Sequence, residues 1–160
     1  MGTSIAAAID YLVSGLATPL SVADPAAVVV DGIATKMSES MVFIGKAGPD
    51  SATAQTGSQA LLVLGAGRAQ EDYEIPCFTY AFRPAGQALS VKPARDAAVA
   101  LFDVVAHFVA SDRTFGGLLL QGRFAEISTV ELVQDIDDES GALRIVWLSF
   151  SIHVRNHYIP

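Results

Sequence analysis

From Pro93 to Ser111 the sequence keeps a helical period, and on both sides of that stretch the period falls to two. Ala97, Leu101, Val104, Val105 and Phe108 recur at the spacing of one buried helical stripe. Pro93 suits the first turn, where its missing N–H is not needed. At 1.5 Å per residue this helix is about 28 Å long. Before it, Tyr73 to Phe82 alternates as a strand does. Phe78, Tyr80 and Phe82 share one face, and Tyr73, Ile75, Cys77 and Ala81 share the other. After it, Leu143 to Val154 places Val146, Leu148, Phe150, Ile152 and Val154 on one face. Ile145 and Trp147 start the opposite face, which turns polar at Ser149, Ser151 and His153.

The other elements fit around this frame. Thr3 or Ser4 can cap a first helix that carries Ile5, Ile9, Leu12, Val13 and Leu16. Gly15 weakens its last turn and Pro19 ends it. Ala26–Val30, Met41–Ile44 and Ala60–Leu64 read as short strands. Residues 47–59 are small and polar and read as a long mobile loop. Pro76 lacks a ladder donor and favours an edge or a bulge. Leu118 to Val133 supplies one long strand or two, with a bend near Gly122, and residues 135–141 form an acidic turn. The order predicts an α+β fold over residues 1–160 as a single domain: a mixed or mostly antiparallel sheet, with the N-terminal helix and the long central helix packed on it. Two helices do not easily cover both faces of such a sheet. Trp147, Ile145, Ile75 and Tyr73 are assigned to the second face, where a neighbouring subunit is the expected cover.

Composition narrows the function. The 160 residues are 51% hydrophobic and only 17% charged, with a net charge of −7. The acid excess argues against a general nucleic-acid binder, which needs a basic face. So few charges imply that part of the surface is not meant for water. The longest uncharged run, Ser51 to Gly67, is too polar to cross a membrane. Tyr11 to Ala23 is uncharged but carries Gly15 and Pro19. The start, Met1 to Ser4, has no basic residue for a signal peptide, and the lone Cys77 allows no internal disulfide, so synthesis in a reducing cytoplasm is expected.

Catalytic, metal and cofactor patterns fail on spacing. Gly65-Ala66-Gly67 follows a strand as a dinucleotide loop does, but Gln70 takes the third glycine position and a strand follows where a helix is required. Asp135, Asp137 and Glu139 alternate like calcium ligands, but the turn glycine comes one place late, at Gly141. His153 and His157 on one strand face would lie about 13 Å apart, too far for one zinc ion. His107 reads as a helix-surface residue and Cys77 as a buried structural thiol. There is no nucleophile elbow, P-loop or His-Glu-x-x-His. The expectation is a non-enzyme with no cofactor and no metal.

The remaining charges gather at element ends. Glu71, Asp72 and Glu74 open the Tyr73 strand and Arg83 closes it. Arg113 follows the long helix, and Arg123 lies in the next strand. In a chain with few charges these are candidates for setting register between subunits. With Trp147 they form the expected subunit or partner interface: Glu71, Asp72, Glu74, Arg83, Arg113, Arg123 and Trp147.

The segment from Glu71 through Asp72, Tyr73, Glu74, Ile75, Pro76 and Cys77 to Phe78 resembles a recurrent stretch of the tail terminator proteins of long-tailed bacteriophages, the minor tail protein U-like family. The resemblance continues through a Pro-Gly turn, Arg95-Asp96-Ala97-Ala98 opening a long helix that ends at Ser111-Asp112, the small-residue turn Thr114–Gly117 and the closing strands. It implies an α/β sandwich whose copies form a homohexameric ring. The ring caps the tail tube protein, ends tube growth and offers a joining surface to the head–tail connector. It implies a place in the virion, at the head-proximal end of the tail, with genomic DNA passing through the lumen without specific binding and no membrane involved. A connector adaptor, a tail tube protein, and a small-molecule-binding domain or enzyme are the competing readings.

Overall fold

The computed structural model describes residues 4–49, 69–84, 90–119, 124–136 and 143–158. The chain runs α1 (Ile5–Ala23), β1 (Ala27–Asp31), β2 (Ser40–Ile44), β3 (Ala69–Pro84), α2 (Lys92–Ser111), β4 (Phe124–Ile136) and β5 (Leu143–Tyr158). The strands form one mixed sheet in the order β1-β2-β3-β5-β4. β1 and β2 are parallel, and every other neighbouring pair is antiparallel. Both helices pack on one face, so the predicted α+β architecture holds. The Ala60–Leu64 strand, the loop over residues 50–59, the Pro84–Gly86 turn beyond Pro84 and the acidic turn beyond Ile136 lie outside the described residues.

The core follows from the two periods. Ala8, Ile9, Leu12, Leu16 and Leu20 of α1 are buried, as are Ala94, Ala98, Leu101, Val105 and Val109 of α2. Against them stand Val42 and Ile44, then Tyr73, Ile75 and Cys77, then Leu148, Phe150, Ile152 and Val154. Tyr73 and Ile75 therefore belong to the helix-covered core, not to the second face. The register decides this, since Tyr73 lies opposite Val154 and Ile75 opposite Ile152, and cross-strand partners share a face. Thr79 also faces α2, where its Oγ1 donates to the Ala98 carbonyl at 2.9 Å.

Pro19 does not end α1. The helix continues to Ala23, where the Asp24 N–H closes it on the Leu20 carbonyl. An interior proline costs about 3 kcal/mol. Burial of Leu16 and Leu20 on either side of it contributes about 1.5–3 kcal/mol each, enough to offset that cost. By length and composition α1 would also pass as a membrane span, with a mean hydropathy of 1.5. Here its apolar stripe lies on the sheet.

Two more boundaries move. Residues 113–119 form turns and a bend, and β4 begins at Phe124, so Leu118 and Leu119 are not strand. β4 then runs through Asp135 to Ile136, because its ladder with β5 outlasts the apolar pattern. Pro76 sits one residue past the end of the β2–β3 ladder, where a missing donor on that side is harmless.

Parallel neighbours usually need a crossover of a dozen or more residues. Here the short connection 32–39 returns the chain, starting from Gly32 at φ 68°. It carries Ala34 onto the second face of the sheet.

Candidate functional site

Because β3, β5 and β4 are long and antiparallel, the second face splits along the strands into an apolar end and a charged end. At the apolar end Met41, Phe43, Phe78 and Tyr80 form a buried cluster, with Val30, Ala34, Phe82, Ile145 and Trp147 packed around it. The Phe43 and Phe78 rings stack at 4.3 Å between centroids. The four central side chains are buried within the chain, while Val30, Phe82, Ile145 and Trp147 around them are only half-buried. Trp147 contributes to it half-buried, opposite Tyr80.

The charged end is built by register. Asp72 lies opposite Arg155 and Glu74 opposite His153, and on the next strand Phe124 and Glu126 continue the same two rows. His153 is central, with Nε2 2.5 Å from Asp72 Oδ1 and Nδ1 3.7 Å from Glu126 Oε1. Arg155 Nε lies 3.4 Å from the other Asp72 oxygen. Burial pushes the Asp72 carboxyl up, but the hydrogen bond and charge of His153, with the charge of Arg155, outweigh it and leave the group below its ordinary value. Arg113 reaches the same end from the turn after α2. Its guanidinium lies 3.7 Å from Glu126 Oε2 and 5.1 Å above the Phe124 ring. Glu74 is exposed, 3.5 Å from the Ser128 hydroxyl.

Of the expected interface residues, the structure thus brings Asp72, Glu74 and Arg113 together. Glu71 points the other way. It is buried on the helix face, where its carboxylate accepts from the Ser4 N–H at 3.2 Å and the Ser4 hydroxyl at 2.5 Å. There it answers the unpaired donors and positive dipole end of α1, which has no acid in its own first turn. Arg83 is at the far end of β3, donating to the Glu39 carbonyl at 2.8 Å and to Ser40 Oγ at 3.1 Å, with Asp24 3.7 Å away. Arg123 lies outside the described residues. Sequence reasoning missed Glu126, His153 and Arg155 as members. Alternation puts His153 and Arg155 on one face of β5 and Asp72 and Glu74 on one face of β3, but only the register brings those two faces together.

Burial pushes the Cys77 thiol up to about 12, so it stays protonated and is a weak nucleophile. Among the described residues no three His, Cys, Asp or Glu side chains are grouped to hold a metal ion. The exposed His107 lines a groove between α1 and α2, with Pro19, Val22, Val104 and Phe108.

Six large hydrophobic side chains are exposed among the described residues, and five of them flank β1 or lie on β4, the outermost strands. Val28 of β1, Ile33 and Met37 of the connection that follows it, and Val130 and Leu132 of β4 are each between 42 and 68% exposed. The first three border an open groove of about 470 Å³, which Val30, Ala34, Lys36 and Met41 also line. On β4 a bulge at Thr129, with φ 41°, separates Val130 from the regular ladder below it.

No protein-family model matches the sequence, and no curated protein is significantly similar to it.

Proposed function

We propose that this chain is a ring-forming assembly protein of the tail terminator type. Six copies close a ring that caps the tail tube, ends its growth and provides the surface that joins the head connector. The protein acts in the virion, at the head-proximal end of the tail, and catalyses no reaction. The observation that carries the reading is that most exposed large apolar side chains of the described residues lie on or next to the two outermost strands of one sheet. A head-to-tail contact needs two different, complementary edges on each copy, and it closes into a ring when the rotation per copy divides the circle. The element order agrees with the family resemblance from β3 through α2 to the closing strands. A net charge of −7 suits a ring through which DNA slides, since like charges repel.

Light scattering across concentration, followed by imaging of any large species, tests the reading. A closed hexamer is the expected result, formed by the protein alone or on added tail tubes. Long tubes would move the assignment to a tube protein. A strict monomer in both settings would overturn the ring and favour a ligand-binding domain.

A further inference from the structure

We infer that copies join edge to edge, with β4 of one lying antiparallel along β1 of the next and Lys36 of one paired with Glu131 of the other. The inference rests on the ring reading and specifies its contact. β1 and β2 point one way, β3 the other, β5 back, and β4 again opposite to β1. A copy displaced sideways in the sheet plane therefore brings β4 against β1 in antiparallel sense. Both strands end the sheet among the described residues, so each has an outer row of backbone groups to offer. β1 reads Ala-Val-Val-Val-Asp, with no lysine, proline or bulge and a single charge, Asp31, at its end.

The faces match as well. Val28 and Val30 lie on the second face, opposite Met41 and Phe43, and Lys36 lines the groove they border. On β4 Glu131 is opposite Ser149 and so lies on that same face. Adding β4 in the sheet plane thus places an acid flanked by two exposed aliphatics beside a lysine set in an apolar groove. Neither Lys36 nor Glu131 has an ion-pair partner among the described residues. Val130 and Leu132, opposite Phe150 and Leu148, lie on the helix face. There they meet the side of the sheet to which Ala27 and Val29 belong. That charge and apolar complementarity selects a second copy of this chain as the occupant.

The test is a charge exchange, read by light scattering at low salt. K36E and E131K each place like charges in the contact and should weaken self-association by about tenfold or more. An equimolar mixture of the two should assemble again, because alternating copies restore opposite charges at every junction. V28D and V130D should each prevent assembly while the monomer's melting temperature stays within a few degrees of wild type. Wild-type assembly that survives all four substitutions would overturn this contact and leave the ring reading standing. So would single reversals that weaken assembly but fail to rescue one another. A wild-type chain that stays monomeric, alone and with tail tubes, would overturn the ring and this contact together.

Discussion

Replacing Gly15 with alanine should destabilise the fold, although glycine inside a helix is normally the weaker choice. The usual gain is about 0.5–1 kcal/mol, from the entropy that glycine loses on folding. Here α1 crosses α2 at that position. A Cβ on residue 15 would lie 2.4 Å from Phe108 Cζ, 3.0 Å from Cε2 and 3.3 Å from Cε1. Carbon atoms prefer about 3.5–4.0 Å, so the overlap is about 1 Å and meets the whole tip of the ring. Retreat of Phe108 is blocked on one side. Tyr11 packs against it at 5.6 Å between centroids, and the Tyr11 hydroxyl is tied to Asp112 at 2.7 Å. Overpacking of this kind costs about 1–3 kcal/mol, leaving a net loss of about 1–2 kcal/mol and a fall of about 5 °C in melting temperature. Urea unfolding of G15A, F108L and the double variant measures it. With the shorter leucine in place, G15A should turn stabilising by about 0.5–1 kcal/mol, a reversal of sign that only direct contact explains. If G15A raises the urea midpoint in the wild-type background, or if the two effects add, then α1 and α2 do not cross in contact at Gly15 and Phe108.

Two other substitutions test the joints that hold α1 and the turn after α2. Glu71→Gln removes the charge at the α1 N-terminus while keeping the side chain's shape, and should lower stability by about 1–2 kcal/mol in urea titration; an unchanged midpoint would refute its role in holding that helix end. Asp112 accepts from Thr114 Oγ1 at 2.7 Å, Tyr11 at 2.7 Å and the Gly116 N–H at 2.6 Å, and these bonds lower its carboxyl to about 2. As pH falls the unfolded chain takes up this proton first, so the contribution is full above about pH 4 and fades as pH drops towards 2. Asp112→Asn should be less stable at neutral pH and should flatten that part of the acid-unfolding curve; parallel curves would argue against it.

Where residues carried a period, the fold was legible from the sequence. α2 and the alternation from Val146 to Val154 need only local spacing to be read, and both elements stand where the spacing puts them, but the buried line of α2 runs through Ala94, Ala98, Leu101, Val105 and Val109, with the expected Ala97, Val104 and Phe108 only half-buried beside it. Pro19 misled because a local rule met a non-local gain: the leucines around it are buried by the sheet. Tyr73 and Ile75 misled for a related reason. Alternation separates two faces of a strand but does not say which one the helices choose, and both faces of β3 are apolar for much of its length. The charged end was half legible. Asp72 and Glu74 stand out as acids in a charge-poor chain, yet His153 lies 81 positions from Asp72 and becomes its neighbour only through the β3–β5 register.

The same register constrains what the charged end can do in a ring. Asp72 already has His153 and Arg155, and Arg113 has Glu126, so a partner must exchange existing pairs rather than satisfy vacant ones. Exposed pairs contribute only about 0–1 kcal/mol each, so such exchange is inexpensive and adds little affinity. In the proposed ring, charge placed there would serve selection, rejecting a partner of the wrong pattern more strongly than it holds the right one. If copies join through β1 and β4, the strands run across no subunit boundary, and their ends form the two rims of the ring. One rim then carries Asp72, Glu74, Glu126, His153, Arg155 and Arg113. The other carries the Arg83 end of β3, with Asp24 and Glu39 held beside it. Two rims of different chemistry are what a ring needs if one side is to accept the tube and the other the connector. Edge-to-edge closure accounts for that asymmetry without asking either sheet face to open.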